Sequence, residues 1–222
     1  VPLYFVAVEG TRSSVAGLHL IPNAVVASAC SLGSGLVMGR TGKYRTMMLT
    51  GGFLGVLGPL CMCFWDRSIT TELLYWLSMP WGGAAFGSIL TITLVALIAS
   101  VDPRDMAAAT GVTYLFRAVG SVLGISLSNT LLQNMLKYHL RREGIPKKLA
   151  TSIRMDVATL RELSGPLQER AIAAYQYSMR AVFVLITVFG LLAFLSLFPI
   201  EEKPLPGHKP ASDERRDAAE DE

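Results

Sequence analysis

The sequence predicts an all-α, polytopic transmembrane helix bundle of about five spans plus the end of a sixth. Three observations carry that prediction. The 222 residues have a mean hydropathy of +0.43, with 51% hydrophobic and only 17% charged residues, a balance unlike that of a water-soluble domain. The charges are also segregated: stretches 13–39, 46–65, 73–101, 106–136 and 181–200 hold one charged residue between them, Arg117, although the chain has 20 Lys+Arg and 17 Asp+Glu. Each stretch reaches the roughly 20 apolar residues that a helix needs to cross a hydrocarbon layer about 30 Å thick. A soluble amphipathic helix would instead carry charge along its outer face. A disordered chain, a disulfide scaffold and a nucleic-acid binder are excluded by the same facts.

Taken in order, the segment VPLYFVAV at the N-terminus is apolar but too short to span, and neither an initiator Met nor a charged signal-peptide region precedes it. It is expected to be the last turns of a preceding helix. The first full span is predicted over 17–39, the second over 46–64, the third over 73–100, the fourth over 107–135 and the fifth over 181–198. Pro80, in MPWGG, lacks a backbone donor and predicts a kink in the third. Cys30, Cys61 and Cys63 all fall within apolar stretches and suit packing, not a disulfide framework or a metal site. Residues 1–200 form the predicted membrane domain. Residues 201–222, with eight acids against four bases and three prolines, form a predicted disordered tail.

Helices in lipid gain little hydrophobic free energy from touching, so close approach through small residues must supply the packing. Ser31, Gly35 and Gly39 recur every four residues, as do Gly51 and Gly55, Gly83 and Gly87, and Gly120, Gly124 and Ser128. Four spans out of five thus carry a small-residue stripe, which predicts a tight bundle.

Between the fourth and fifth spans lies a predicted loop over 137–180, with nine bases and four acids. Leu149, Ile153, Val157, Leu160 and Leu163 fall at helical spacing before Ser164, Gly165 and Pro166 stop the pattern. They predict an amphipathic helix lying against the bundle or the membrane surface, its bases available to lipid headgroups. Orientation by charge is divided. Short-loop bases Arg40, Lys43 and Arg45 favour a cytoplasmic turn, whereas the long loop puts more bases on the opposite side.

No HExxH, P-loop or GxSxG occurs, and His19, His139 and His208 are far apart, so neither an enzyme nor a metal or cofactor site is expected. The informative residues are polar ones inside spans. Arg117 costs about 2.5 to 3.5 kcal/mol in hydrocarbon even on the lenient insertion scale; it is a gate or substrate-path residue, or it snorkels to the cytoplasmic interface or bonds helix-end carbonyls. Tyr114 stands beside it. Asn129 and Gln133 share a helical face flanked by Thr130 and Asn134, a stripe that lines a cavity or marks the exit from the bilayer. His19 and Asn23, around Pro22, are candidates for proton or substrate contact, with a packing role as the alternative for His19. No Asp or Glu lies inside any span.

The segment GSGLVMGRTGKYR, 33–45, resembles the second-half copy of the cytoplasmic signature loop of major facilitator superfamily transporters, without the acidic position of the first copy. ATGVTYLFRAVGSVLGISL, 109–127, resembles the penultimate span of the fourteen-span drug:proton antiporter branch, through Gly111, Arg117, Gly120 and Gly124. PLYF followed by AGLHLIP also resembles that branch, particularly its fungal multidrug exporters and vacuolar basic amino acid permeases. The resemblance covers residues 2 to about 199 and matches the final five helices of such a protein.

It implies the C-terminal part of a major facilitator fold working by alternating access, with loop 137–180 extracytosolic and the tail cytoplasmic. Gly39, Arg40, Gly42, Lys43 and Arg45 would then close the cytoplasmic side, Gly39 and Gly42 permitting the turn. The implied function is proton-coupled antiport of drugs or basic amino acids in a plasma or vacuolar membrane. Its partners would be the lipid bilayer, a missing N-terminal half, protons and a small-molecule substrate, with no nucleic acid. The alternative is a non-transporting membrane scaffold or truncated subunit.

Overall fold

A computed structural model describes residues 1–65, 72–157, 159–163 and 165–200. The tail 201–222 and Ser164 lie outside the described residues. Ten helices and no strand are present among the described residues: α1 Pro2–Ala7, α2 Ser13–Leu18, α3 Ile21–Thr41, α4 Arg45–Cys63, α5 Glu72–Ser78, α6 Pro80–Ser100, α7 Met106–Arg142, α8 Lys147–Met155, α9 Thr159–Glu162 and α10 Pro166–Ser196. Five segments are long and apolar enough to cross a membrane: Ser14–Thr41, Arg45–Cys63, Tyr75–Ser100, Met106–Arg142 and Pro166–Ser196. The protein is a multi-pass integral membrane protein.

Neighbouring spans pack in the order α3, α6, α4, α10, α7. The α3–α6 contact runs parallel, in register every four residues. A Cβ on Gly83 would overlap the Asn23 carbonyl oxygen, and one on Gly87 the Ala27 carbonyl oxygen. One turn further the Ser31 and Thr91 hydroxyls hydrogen-bond at 2.7 Å. Backbones this close need glycine. Between α4 and α6 the pairing is antiparallel: a Cβ at Gly51 would lie 3.3 Å from Ser88 Cβ, and one at Gly58 only 3.1 Å from the Gly82 nitrogen. Gly52 admits Leu197 and Phe194 of α10 and its flank, and Gly190 of α10 faces the Gly55 carbonyl. Pro59, one turn on in α4, has no N–H for that carbonyl.

Pro80 acts as the first residue of α6, with Met79 at the bend between α5 and α6. Proline suits a first helical turn because the missing N–H would have no partner there. The third predicted span is therefore two helices in line.

The larger difference from expectation lies after the fourth span. Helix α7 continues to Arg142 and α10 begins at Pro166, so the predicted loop 137–180 shrinks to 143–165. Ala171, Ala174, Tyr175, Ser178 and Met179 are buried at amphipathic spacing, and the four other than Ser178 belong to one cluster with Leu136 and Leu140 of α7. Uncharged runs do not mark this portion, because its other face exposes Glu169 and Arg170. The predicted stripe over 149–163 does reach the core, through Ile153 and Leu160 with Leu149, Val157 and Leu163 against them. It does so in two short helices, because the chain turns extended at Asp156, with φ −138° and ψ 118°.

The main buried cluster sits at this loop end, where Tyr4, Phe5, Trp65, Tyr75 and Phe183 meet the α7, α8 and α10 side chains. A second, smaller cluster of Met38, Tyr44, Met48 and Ile92 lies at the opposite end.

Candidate functional site

Helix α7 stands at one end of the row with its middle uncovered. Phe116 is 73% and Ile125 72% exposed, and Gly111, Gly120 and Gly124 have nothing within 4 Å of where a Cβ would stand. The small-residue stripe of α7 therefore meets no neighbour among the described residues, unlike those of α4 and α6. Gly35 is intermediate, with Thr91 Cγ2 at an ordinary 3.8 Å.

On this open helix Arg117 is half-buried, its guanidinium carbon 5.0 Å from the Tyr114 ring centroid. Arg117 lies eleven residues into α7, about 16 Å from the helix start at 1.5 Å per residue. The cation is folded back over the preceding turn, the direction in which helical side chains lean. A ring face offsets part of the cost of a desolvated guanidinium. The pair presents one cation and one phenol on an otherwise apolar surface.

The other candidates are placed elsewhere. Gln133 accepts a hydrogen bond from Arg154 Nε at 2.9 Å, tying α7 to α8. It is about 24 Å along the axis from Arg117. Asn129 is exposed one turn before it. His19 is 7% exposed, stacked on Phe5 at 4.2 Å and tilted against Trp76 at 4.7 Å, with Nδ1 donating to the Val15 carbonyl at 2.9 Å. Those contacts are those of a packing residue. Asn23 sits in the α3–α6 seam beside Gly82 and Gly83, at the far end of the row from α7. The six polar candidates do not converge on one cavity.

The turn 39–45 is built as follows. Gly42 adopts φ +66° and donates its N–H to the Met38 carbonyl at 2.9 Å, ending α3. Left-handed backbone of this kind favours glycine. Gly39 lies inside α3 and is not among the glycines with positive φ, so the tight turn depends on Gly42 and not, as expected, on both. Arg40 and Lys43 are exposed. Arg45 Nη2 donates to the Phe198 carbonyl at 3.4 Å, placing a cation at the end of α10, where the helix dipole favours it.

Two features of this site escaped sequence reasoning. Tyr44 is 1% exposed and anchors the turn among Met38, Met48 and Ile92; the signal available was a lone aromatic in a basic, Gly-punctuated turn. At the other end Tyr75 donates to Glu9 Oε1 at 3.0 Å, the Tyr4 and Tyr75 hydroxyls are 3.3 Å apart, and Trp65 Nε1 donates to Ser78 Oγ at 3.1 Å. These aromatics close the loop end of the bundle. No group of three or more metal-ligating side chains is present among the described residues.

No family model matches the chain, and no solved structure matches it. Curated relatives do. The chain is 33% identical over 201 residues to the multidrug resistance protein fnx1 of Schizosaccharomyces pombe, covering 87% of this chain and 38% of that protein. It is 28% identical over 206 residues to the vacuolar membrane amino acid uptake transporter fnx2 of the same yeast, covering 92% of this chain and 36% of the relative. It is 25% identical over 211 residues to citrate exporter 1 of Yarrowia lipolytica, 94% of this chain and 31% of the relative. The chain thus spans about a third of the length of the curated relatives it matches.

Proposed function

We propose that this chain, a homologue of major facilitator superfamily transporters, forms one helical lobe of a secondary carrier that works by alternating access. In such carriers two bundles rock about a midplane site. The observation that carries the reading is homology to transporters along nearly the whole chain. The uncovered apolar middle of α7, with Arg117 and Tyr114 on it, supports a second lobe seated against that helix.

The membrane domain is assigned to 1–200. Its orientation places the turn 39–45 and the tail in the cytoplasm and the α8–α9 segment outside the cytosol. In this arrangement Arg40 and Lys43 face the other lobe and close the cytoplasmic side against acidic groups or helix C-termini, while Arg45 also holds the end of α10. Arg117 changes partner between the two access states, its cost in hydrocarbon offset by the Tyr114 ring in one of them. Gly120 and Gly124 give the second lobe a close approach to α7.

Relatives named for drug resistance, vacuolar amino acid uptake and citrate export align over the same stretch, which favours a part in the shared transport cycle. The substrate class assigned is drugs or basic amino acids, exchanged for protons, at a plasma or vacuolar membrane. The acid that carries the proton lies outside the stretches 13–39, 46–65, 73–101, 106–136 and 181–200, which contain none.

The test is flux. Vesicles holding the full-length protein should accumulate or expel a cationic drug or a basic amino acid only while a proton gradient is imposed. Absence of gradient-dependent flux across a panel of both classes, with protein present and folded, would leave the scaffold alternative standing.

A further inference from the structure

We propose that the loop end of the bundle holds an anionic-phospholipid site, formed where α8 docks against the end of α7. Lys137 and Arg141 of α7 and Lys147 and Arg154 of α8 line one depression of about 300 Å³, with Ala150 and Thr151. Lys137 and Arg141 also wall an adjacent depression with Arg142 and Tyr138. No acidic residue lines either among the described residues.

The fold gathers these charges against their own repulsion. Lys137 and Arg141 form a like-charge pair at i, i+4, which disfavours a helix in isolation. Docking of α8 adds two more cations, with Arg154 held in place by its bond to Gln133 and Ile153 fully buried beneath. A bound phosphate relieves that repulsion with charge-assisted hydrogen bonds.

Depth selects a lipid as the source of the phosphate. The uncharged run of α7 ends at Leu136, so Lys137 and Arg141 stand roughly 1.5 and 7.5 Å along the axis beyond it. A headgroup layer beginning where that run ends is about 5 to 7 Å thick on each side of the hydrocarbon, which places Lys137 within it and Arg141 at its outer edge, within reach of a long side chain. Tyr138, 59% exposed beside both bases, has the amphipathic ring that favours this level. The site also accounts for five of the nine bases of segment 137–180, which orientation by charge leaves unexplained.

The experiment counts lipid bound to the full-length protein in neutral detergent by native mass spectrometry, with phosphatidylglycerol and phosphatidylcholine titrated separately. Phosphatidylglycerol is expected to bind more tightly. The double variant Lys137→Gln/Arg141→Gln should lose about fivefold in its affinity per charge removed while phosphatidylcholine binding stays unchanged. Lys148→Gln, an exposed base lining neither depression, should leave both lipids unaffected. Equal binding of the two lipids, an unchanged double variant, or a loss of the same size in Lys148→Gln would each overturn the site. Glycerol 1-phosphate displacing the lipid at equal concentration would overturn the lipid reading in favour of a soluble anion. Lys147→Gln, made alone, repeats the measurement should the double variant not fold.

Discussion

A methyl group at Gly87 would overlap the Ala27 carbonyl oxygen, whereas one at Gly120 would meet nothing within 4 Å. Two glycines from equally convincing stripes therefore carry different consequences. Gly87→Val should destabilise the bundle by about 3 kcal/mol or more, since backbone and not a flexible side chain must move. Loss of the monodisperse peak in detergent, or a large drop in melting temperature, would register it. Gly120→Ala should leave that melting temperature unchanged, and any defect should fall on transport instead. Arg117→Ala is expected to impair flux with membrane abundance largely intact; wild-type flux in that variant would reduce Arg117 to a packing residue. At Gly42, an Ala would be strained at φ +66° by about 1 kcal/mol, loosening the turn that sets Arg40 and Lys43.

Helices α7 and α10 are each longer than the hydrocarbon requires, and their extra turns make a folded cap with α8 and α9. At 37 residues, α7 is about 55 Å long. Polar contacts that fasten the cap include Tyr175 donating to the Ile153 carbonyl at 2.8 Å, Gln168 Nε2 to the Leu160 carbonyl at 3.1 Å, and Arg154 to Gln133. Tyr175→Phe should cost roughly 1 kcal/mol, expressed locally as faster amide exchange in α8 with the spans unchanged. Equal acceleration throughout the molecule would mean that the cap and the bundle unfold together. Segment 149–163 was legible as amphipathic from its spacing. Its docking partner was not, because the apolar face of 166–180 is interrupted every turn by polar residues and resembles a loop to any reading of summed hydropathy.

For the molecule as a whole, the row α3, α6, α4, α10, α7 leaves one terminal helix largely uncovered while burying its best core at the loop end. An apolar helix exposed on all sides is stable in lipid or against another bundle, and not in water. Limited cross-linking should capture this asymmetry: cysteines placed at 120 or 124 should couple to the rest of the full-length protein, whereas cysteines replacing the buried Ser34 of α3 or Ile92 of α6 should be inaccessible. Reagent modifying positions 34 and 92 readily in membranes would contradict the α3–α6 seam.

Uncharged length and the cost of burying charge in hydrocarbon are local properties, and from them the sequence determined the membrane class, the five spans, the basic turn and the exceptional standing of Arg117. Only the tertiary structure decided which stripes touch, that Gly42 alone makes the turn, that His19 is clasped by aromatics, and that Arg45 reaches Phe198, 153 residues away. Such pairings depend on how whole helices are ordered in the row, and spacing within one helix carries no record of which neighbour its face will meet.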